Sequence, residues 1–191
     1  MIFDPLYLLV LGIGFLLSMG AQIWVKSAVN RWGQVPTSRG MTGRQVAQAI
    51  LDARGIRDVN IEVVPGRLSD HYDPSSKTLR LSPDIYNGRS VAAAGIAAHE
   101  VGHAIQHQDG YAPMKMRQKM VPVANIGTSL GIWITIAGII IGVSGLATIG
   151  VVLFGGFVAF TLVTLPVEFD ASARAKKVLV GQGLVSGEEA R

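Results

Sequence analysis

Two kinds of apolar pattern divide this chain. In one, apolar residues fill nearly every position, as from Leu6 to Val25 and from Val121 to Val167. In the other, between those runs, they recur at helical or strand spacing among polar residues. A bilayer crossing needs about 20 apolar residues, so the first run can span once and the second twice. The second run carries no Asp, Glu, Lys, Arg or His, and Gly142, Ser144 and Gly145 near its middle suit a tight turn. Asp4 and no basic residue precede the first run, which argues against a cleaved leader.

The segment between the runs reads as a small folded unit. Gly33 to Gly40 is a loop containing Pro36. Thr42-Gly-Arg-Gln45 is a capping box, and Val46, Ala49, Ile50 and Ala53 follow at helical spacing until Gly55. Ile61, Val63 and Val64 predict a short strand. "DHYDPSSKTLRLS" predicts a hairpin, with Asp73-Pro-Ser-Ser76 as its turn and Leu79 and Leu81 on one side. Ser90 caps a helix running to about Gln108. The expected fold class is therefore α+β, helices with a small antiparallel sheet, combined with transmembrane helices. Four parts follow: a membrane helix over 1–25, a polar domain over 26–120, a membrane hairpin over 121–167 and a final helix over 168–191. Ser186-Gly-Glu-Glu189 is a further capping box close to the last residue, which reads as a helix cut short.

Composition agrees with this division. The chain is 49% hydrophobic and 16% charged, against about 25% charged in soluble domains. Its net charge of +4 is distributed as a topology signal. Lys26 and Arg31 follow the first run, Lys115, Arg117 and Lys119 precede the second, and Arg174, Lys176 and Lys177 follow it. Basic residues favour the cytoplasmic side. The N-terminus is thus expected outside, with 26–120 and 168–191 in the cytoplasm of a multi-pass membrane protein. No basic stripe interleaves with aromatics, so a nucleic-acid partner is not expected. The absence of cysteine removes disulfides and thiolate zinc sites.

"AAHEVGHAIQHQDG", Ala97 to Gly110, holds three of the four histidines. His99 and His103 lie one helical turn apart and about 40° from each other around the axis, so both imidazoles can reach one ion. Zn²⁺ accepts such nitrogens at about 2.0–2.1 Å. Glu100 borders that position and suits a general base acting on a zinc-activated water. Gly102 allows another element to come close. His107 lies about 12 Å along the axis from His99, too far to share the ion. A third ligand must come from elsewhere: His71, Asp109, Glu168, Asp170, Glu188 and Glu189 are the candidates. Glu168 stands out as the first charged residue after the long apolar run, just beyond Pro166. A carboxylate near lipid is costly unless paired. Asp170 lies about 200° away on the same helix, so only one of the two can face the site.

"SDHYDPSSKTLRLSPDIY", "AAHEVGHAIQH" and "LPVEFDASARAKKVL" resemble the YugP-type membrane zinc metallopeptidases, a gluzincin-like family. The resemblance covers nearly the whole chain. It implies a zincin-like cytoplasmic domain and peptidase activity on peptide or membrane-protein substrates. It also implies Zn²⁺ held by His99, His103 and Glu168, with Glu100 as catalytic base. Gluzincins often carry Asp four residues after the ligand glutamate; here that position is Ser172, which leaves the support of the ligand histidine unassigned. Members usually continue into another hydrophobic segment, in line with the helix cut short at Ser186. The resemblance further suggests that "KTLRLS" pairs with an extended substrate. His71, Tyr72 and Arg174 are candidates for stabilising an oxyanion. The alternative is a membrane adaptor with structural zinc, for which Glu100 would be superfluous.

Overall fold

The computed structural model describes residues 5–187 and Glu189, so Asp4 and Glu188 lie outside the described residues. Helix α1, Pro5–Trp32, leads into α2, Gly43–Ala53. Three strands follow: β1, Asn60–Val63, β2, His71–Asp73, and β3, Thr78–Leu81. Then come the short α3, Pro83–Asn87, and the motif helix α4, Val91–Gln108. Helix α5, Ala112–Ile126, passes through a π-helical turn at Gly127–Gly131 into α6, Ile132–Ile141. Helix α7 runs unbroken over Ser144–Gly181.

Local chemistry sets these boundaries. The Thr42 side chain accepts the Gln45 N–H while the Gln45 side chain accepts the Thr42 N–H, closing the expected capping box. The apolar face of α2 then buries Val46, Ala47, Ile50 and Leu51 completely or nearly so. Ser90 accepts the Ala93 N–H and starts α4 as expected. Gly142 adopts a left-handed conformation (φ 79°) that ends α6, and α7 begins two residues later. At the chain's end, Ser186 Oγ accepts the Glu189 N–H and Glu189 Oε2 accepts the Ser186 N–H, as in a capping box. The residues that would extend that helix lie outside the described ones.

The sheet corrects the expected antiparallel arrangement. Its order is β1-β3-β2, with β2 antiparallel to β3 but β1 parallel to it. Alternation of apolar residues assigns a strand's faces, not its neighbour. The segment after β1 crosses to the far edge of β3, where the Asp70 carboxylate accepts hydrogen bonds from the Ser82 N–H and hydroxyl. The hairpin then returns in the same direction as β1. A second correction follows. The stretch "KTLRLS" contains the central strand, paired on both sides, so it has no free edge for a substrate; β2 is the edge strand that meets α4.

The core lies where α2, the sheet, the alanine-rich half of α4 and the last turns of α7 meet. Leu79 and Leu81 are fully buried there, as their shared face predicted. Three helical stretches are long and apolar enough to cross a membrane: Gly12–Trp32, Ala112–Ile141 and Ser144–Gly181. The last two pack through small residues. A Cβ on Gly138 would stand 2.3 Å from the Ala147 nitrogen, and one on Gly150 2.4 Å from the Thr135 nitrogen. Such near-contact of backbones is how apolar helices gain packing energy where no water is left to expel.

Candidate metal centre

The site forms where α4 and α7 cross antiparallel. Contact is closest at Gly102, where an added Cβ would stand 2.6 Å from the Ala171 carbonyl oxygen. Any side chain at 102 would hold the helices apart. On one side of this point His99 meets Ser172; on the other, Gln106 meets Val167 and Asp170.

Between these contacts, His99, His103 and Glu168 each offer one ligand atom, all within 4.8 Å of one another. Glu168 Oε2 lies 3.1 Å from His99 Nε2 and 3.4 Å from His103 Nε2. Two ligands at about 2.05 Å in a tetrahedron stand about 3.4 Å apart. Two imidazoles and a carboxylate at that spacing fit a zinc ion, with its fourth position left to another ligand.

Hydrogen bonds orient both imidazoles by their other nitrogen. His103 Nδ1 meets Gln106 Oε1 at 3.0 Å. Gln106 is fully buried, and its amide nitrogen donates to the Val167 carbonyl and to Asp170 Oδ2, both at 2.8 Å. With both N–H groups committed to acceptors, its oxygen must face His103. Nδ1 therefore carries the proton, and the Nε2 lone pair is left for a cation. His99 Nδ1 meets the Ser172 hydroxyl at 3.1 Å. Asp170 is in turn bonded by Arg174 Nε at 2.6 Å, and Arg174 also pairs with Asp109 and lies over the Tyr111 ring. This chain of contacts pins the turn after α4 to α7.

Glu100 is buried beside the triad, and its Oε2 accepts the Tyr72 backbone N–H from edge strand β2 at 3.0 Å. Burial pushes its pKa up, the nearby His103 and His99 pull it down, and the net shift is upward. For His103, burial favours the neutral ring, but Glu168, Glu100 and Gln106 outweigh it and raise the pKa. Two carboxylates and two imidazoles thus make a pocket that favours positive charge.

The remaining sequence candidates lie outside this cluster. His71 is exposed on β2, with Nδ1 2.8 Å from the Ser69 carbonyl. The Tyr72 hydroxyl meets His107 Nδ1 at 2.9 Å beside a separate cavity. Burial, then Asp58 and Asp73, raise the Tyr72 pKa to about 12, so it stays a neutral phenol. Arg174 is committed to Asp109 and Asp170. Sequence reasoning missed two residues. Gln106 follows His103 by three positions, on the same helix face, and that spacing could have found it. Arg117, counted only as a topology charge, brings its guanidinium 3.8 Å from Glu168 Oε1. Ser172 fills the support position that the sequence left open.

Known proteins resemble this chain along most of its length. The chain is 43% identical over 173 residues to the "Putative membrane protease YugP" of Bacillus subtilis (strain 168), covering 91% of this chain and 77% of that protein. No solved structure matches. Residues 7–191 match the family described as "Putative neutral zinc metallopeptidase", and the chain belongs to that family.

Proposed function

We propose that the chain is a multi-pass membrane zinc endopeptidase with a zincin-like catalytic domain. The observation that carries this reading is the meeting of His99, His103 and Glu168 at ligand spacing, with the buried Glu100 alongside. Zinc held by these three side chains would supply Lewis acidity toward a peptide carbonyl and lower the pKa of a coordinated water.

The chain's own groups do the rest. Tyr72 N–H holds one Glu100 oxygen, which fixes the direction of the carboxylate. Among the described residues its other oxygen makes no hydrogen bond, so it can accept the water proton and pass it to the leaving amine. The raised Glu100 pKa moves this base toward neutrality, where a proton acceptor and later donor works best. Gln106 and Ser172 hold the imidazoles with Nε2 inward. His71, Tyr72 and Arg174 stay the sequence-derived oxyanion candidates, and Arg117 joins them by its nearness to Glu168.

Placement follows from charge. Lys26 and Arg31, Lys115 to Lys119, and Arg174 to Lys177 all lie toward the polar domain, which favours a cytoplasmic site with the N-terminus outside. Glu168 follows the apolar part of α7 directly. The site then sits against the bilayer surface, within reach of membrane-proximal peptide segments.

Glu100→Gln tests the reading. The purified variant should keep one zinc per chain and lose about 10²–10⁴-fold in peptide turnover. A wild-type protein loaded with zinc that cleaves no member of a diverse peptide library would favour the adaptor alternative.

A further inference from the structure

Lys115, Arg117 and Lys119 stand at alternate positions of α5. At 100° per residue the two lysines share one side of the helix and Arg117 lies nearly opposite. The fold keeps that division: both lysines are exposed, and Arg117 is half-buried. Ala124, two turns on, is buried on the Arg117 side. Three residues later, an added Cβ on Gly127 would stand 2.5 Å from the Leu153 carbonyl oxygen of α7. Arg117 thus points into the seam between the two arms of the hairpin, where an unpaired charge is costly. Among the described residues its ion-pair partner is Glu168, with Nη2 3.8 Å from Oε1. Its Nε is enclosed and meets no hydrogen-bond acceptor there. The carboxylate is therefore the group that draws the guanidinium to this place.

The two oxygens of Glu168 have different neighbours as a result. Oε2 lies 3.1 Å from His99 Nε2 and 3.4 Å from His103 Nε2, while Oε1 faces Arg117. A carboxylate can hold a cation through one oxygen or through both. Through both, it takes up a position that a catalytic zinc site keeps for water or substrate. Turning Oε1 inward would draw it away from the guanidinium. Both side chains are about two-thirds enclosed, so their attraction is screened less than in open water. The charge on α5 thus opposes the turn that would close the site.

We infer that Arg117 is a positioning residue for the third ligand. From α5 it holds the outer oxygen of Glu168, so that the carboxylate offers one oxygen to the cluster and one coordination position stays free. The inference rests on the zinc reading, and it acts through Glu168 alone. Its role is separate from any contact that its other donors make with substrate. The test reads coordination rather than turnover. Cobalt(II) takes imidazole and carboxylate ligands as zinc does. Its visible absorption is strong with four ligands and weaker with five. The full chain in detergent is loaded with one cobalt per chain, as wild type, Arg117→Met, Arg117→Lys and Lys115→Met. Methionine keeps much of the length and apolar body of the arginine without its charge.

Wild type should show the strong four-ligand spectrum. Arg117→Met should keep one cobalt per chain and lose about 2-fold or more in absorption, as both oxygens of Glu168 come onto the ion. Arg117→Lys restores the charge and should return most of the intensity. Lys115→Met removes an exposed charge from the opposite side of α5 and should match wild type. Thermal unfolding of the metal-free proteins accompanies the spectra. A wild-type spectrum in Arg117→Met, or a weak five-ligand spectrum already in wild type, overturns the assignment and spares the zinc site. A fall in intensity that Arg117→Lys does not restore, or an Arg117→Met chain that no longer folds, overturns it in favour of a packing role. Wild type that takes up neither cobalt nor zinc overturns the zinc reading itself, and the role of Arg117 with it.

Discussion

Gly102→Ala is the sharpest test of how the metal centre is assembled. The new methyl would stand 2.6 Å from the Ala171 carbonyl oxygen, about 0.8 Å short of the 3.4 Å at which ordinary contact begins. Both the methyl and the carbonyl belong to backbone-fixed positions, so neither can turn away. The helices must separate by most of that deficit. His99 and His103 ride on α4 and Glu168 on α7, with ligand atoms now 3.1 and 3.4 Å apart. Metal–ligand distances tolerate about 0.2 Å. An opening several times larger takes Glu168 out of range, so zinc affinity should fall on the order of 100-fold. The fold itself should lose only about 1–3 kcal/mol from overpacking, partly offset by alanine's better helix propensity. Zinc affinity is read by competition with a chelating dye, and stability by thermal unfolding in detergent. Gly95→Ala, on the same helix but facing open space, is the control and should bind zinc like wild type. Wild-type zinc affinity in Gly102→Ala would refute the reasoning, because it would mean that helix separation does not govern the site.

Other substitutions probe its parts. Gln106→Leu removes the partner of His103 Nδ1 and the side-chain hydrogen bonds to the Val167 carbonyl and Asp170; zinc affinity should drop about 10–100-fold. A variant that loses only thermal stability, with zinc affinity intact, would reduce Gln106 to packing. Glu168→Ala should abolish stoichiometric zinc in metal analysis, whereas Asp170→Ala should lower the melting temperature and keep most of the metal; the reverse pattern would mean that Asp170 is the ligand. Asp73 supplies a pH test away from the metal. Hydrogen bonds from Ser75, then Ser76 and Arg80, hold its carboxyl well below the usual carboxylate range. A depressed folded pKa gives stability that is complete above about pH 4 and is lost as the pH falls below it. Asp73→Asn should therefore flatten that part of the acid unfolding curve followed by circular dichroism, and an unchanged acid slope would count against the turn network.

Legibility in the sequence followed the range of the interaction. The capping box at Thr42 and the N-cap at Ser90 act over three residues, and both helix starts were readable. The histidine spacing and the exclusion of His107 needed only the pitch of one helix. The third member of the cluster needed more, since Glu168 is 65 residues from His103, yet the cost of a carboxylate at an apolar boundary pointed to it. Neighbour relations between strands were not readable. Nothing in Ile61 and Val63 says that β1 lies parallel to β3, because that depends on where the loop anchored by Asp70 crosses. The direction of the Gln106 amide was also hidden. It follows from two acceptors on α7, and only the packed helices bring them into reach.

The division of labour between the two helices bears on why the site sits where it does. Helix α4 packs through its alanine face into a core that it shares with α2, the sheet and the polar end of α7. Helix α7 is held at its other end by glycine contacts with α6 and the π turn, where Gly131 and Gly150 leave the backbones almost touching. Neither helix alone offers more than two ligands. Among the described residues, the cluster of His99, His103 and Glu168 forms where α7 docks on α4, beside the close approach that Gly102 permits. On the proposed reading, Glu168 would come from a helix whose depth the bilayer sets. The position of Glu168 along α7 would then fix the height of the reaction above the membrane as well as the binding of the metal. Shifting Glu168 by one turn would have to move both together. That coupling is a physical reason for the apolar run to lead directly into the ligand with no flexible linker between them.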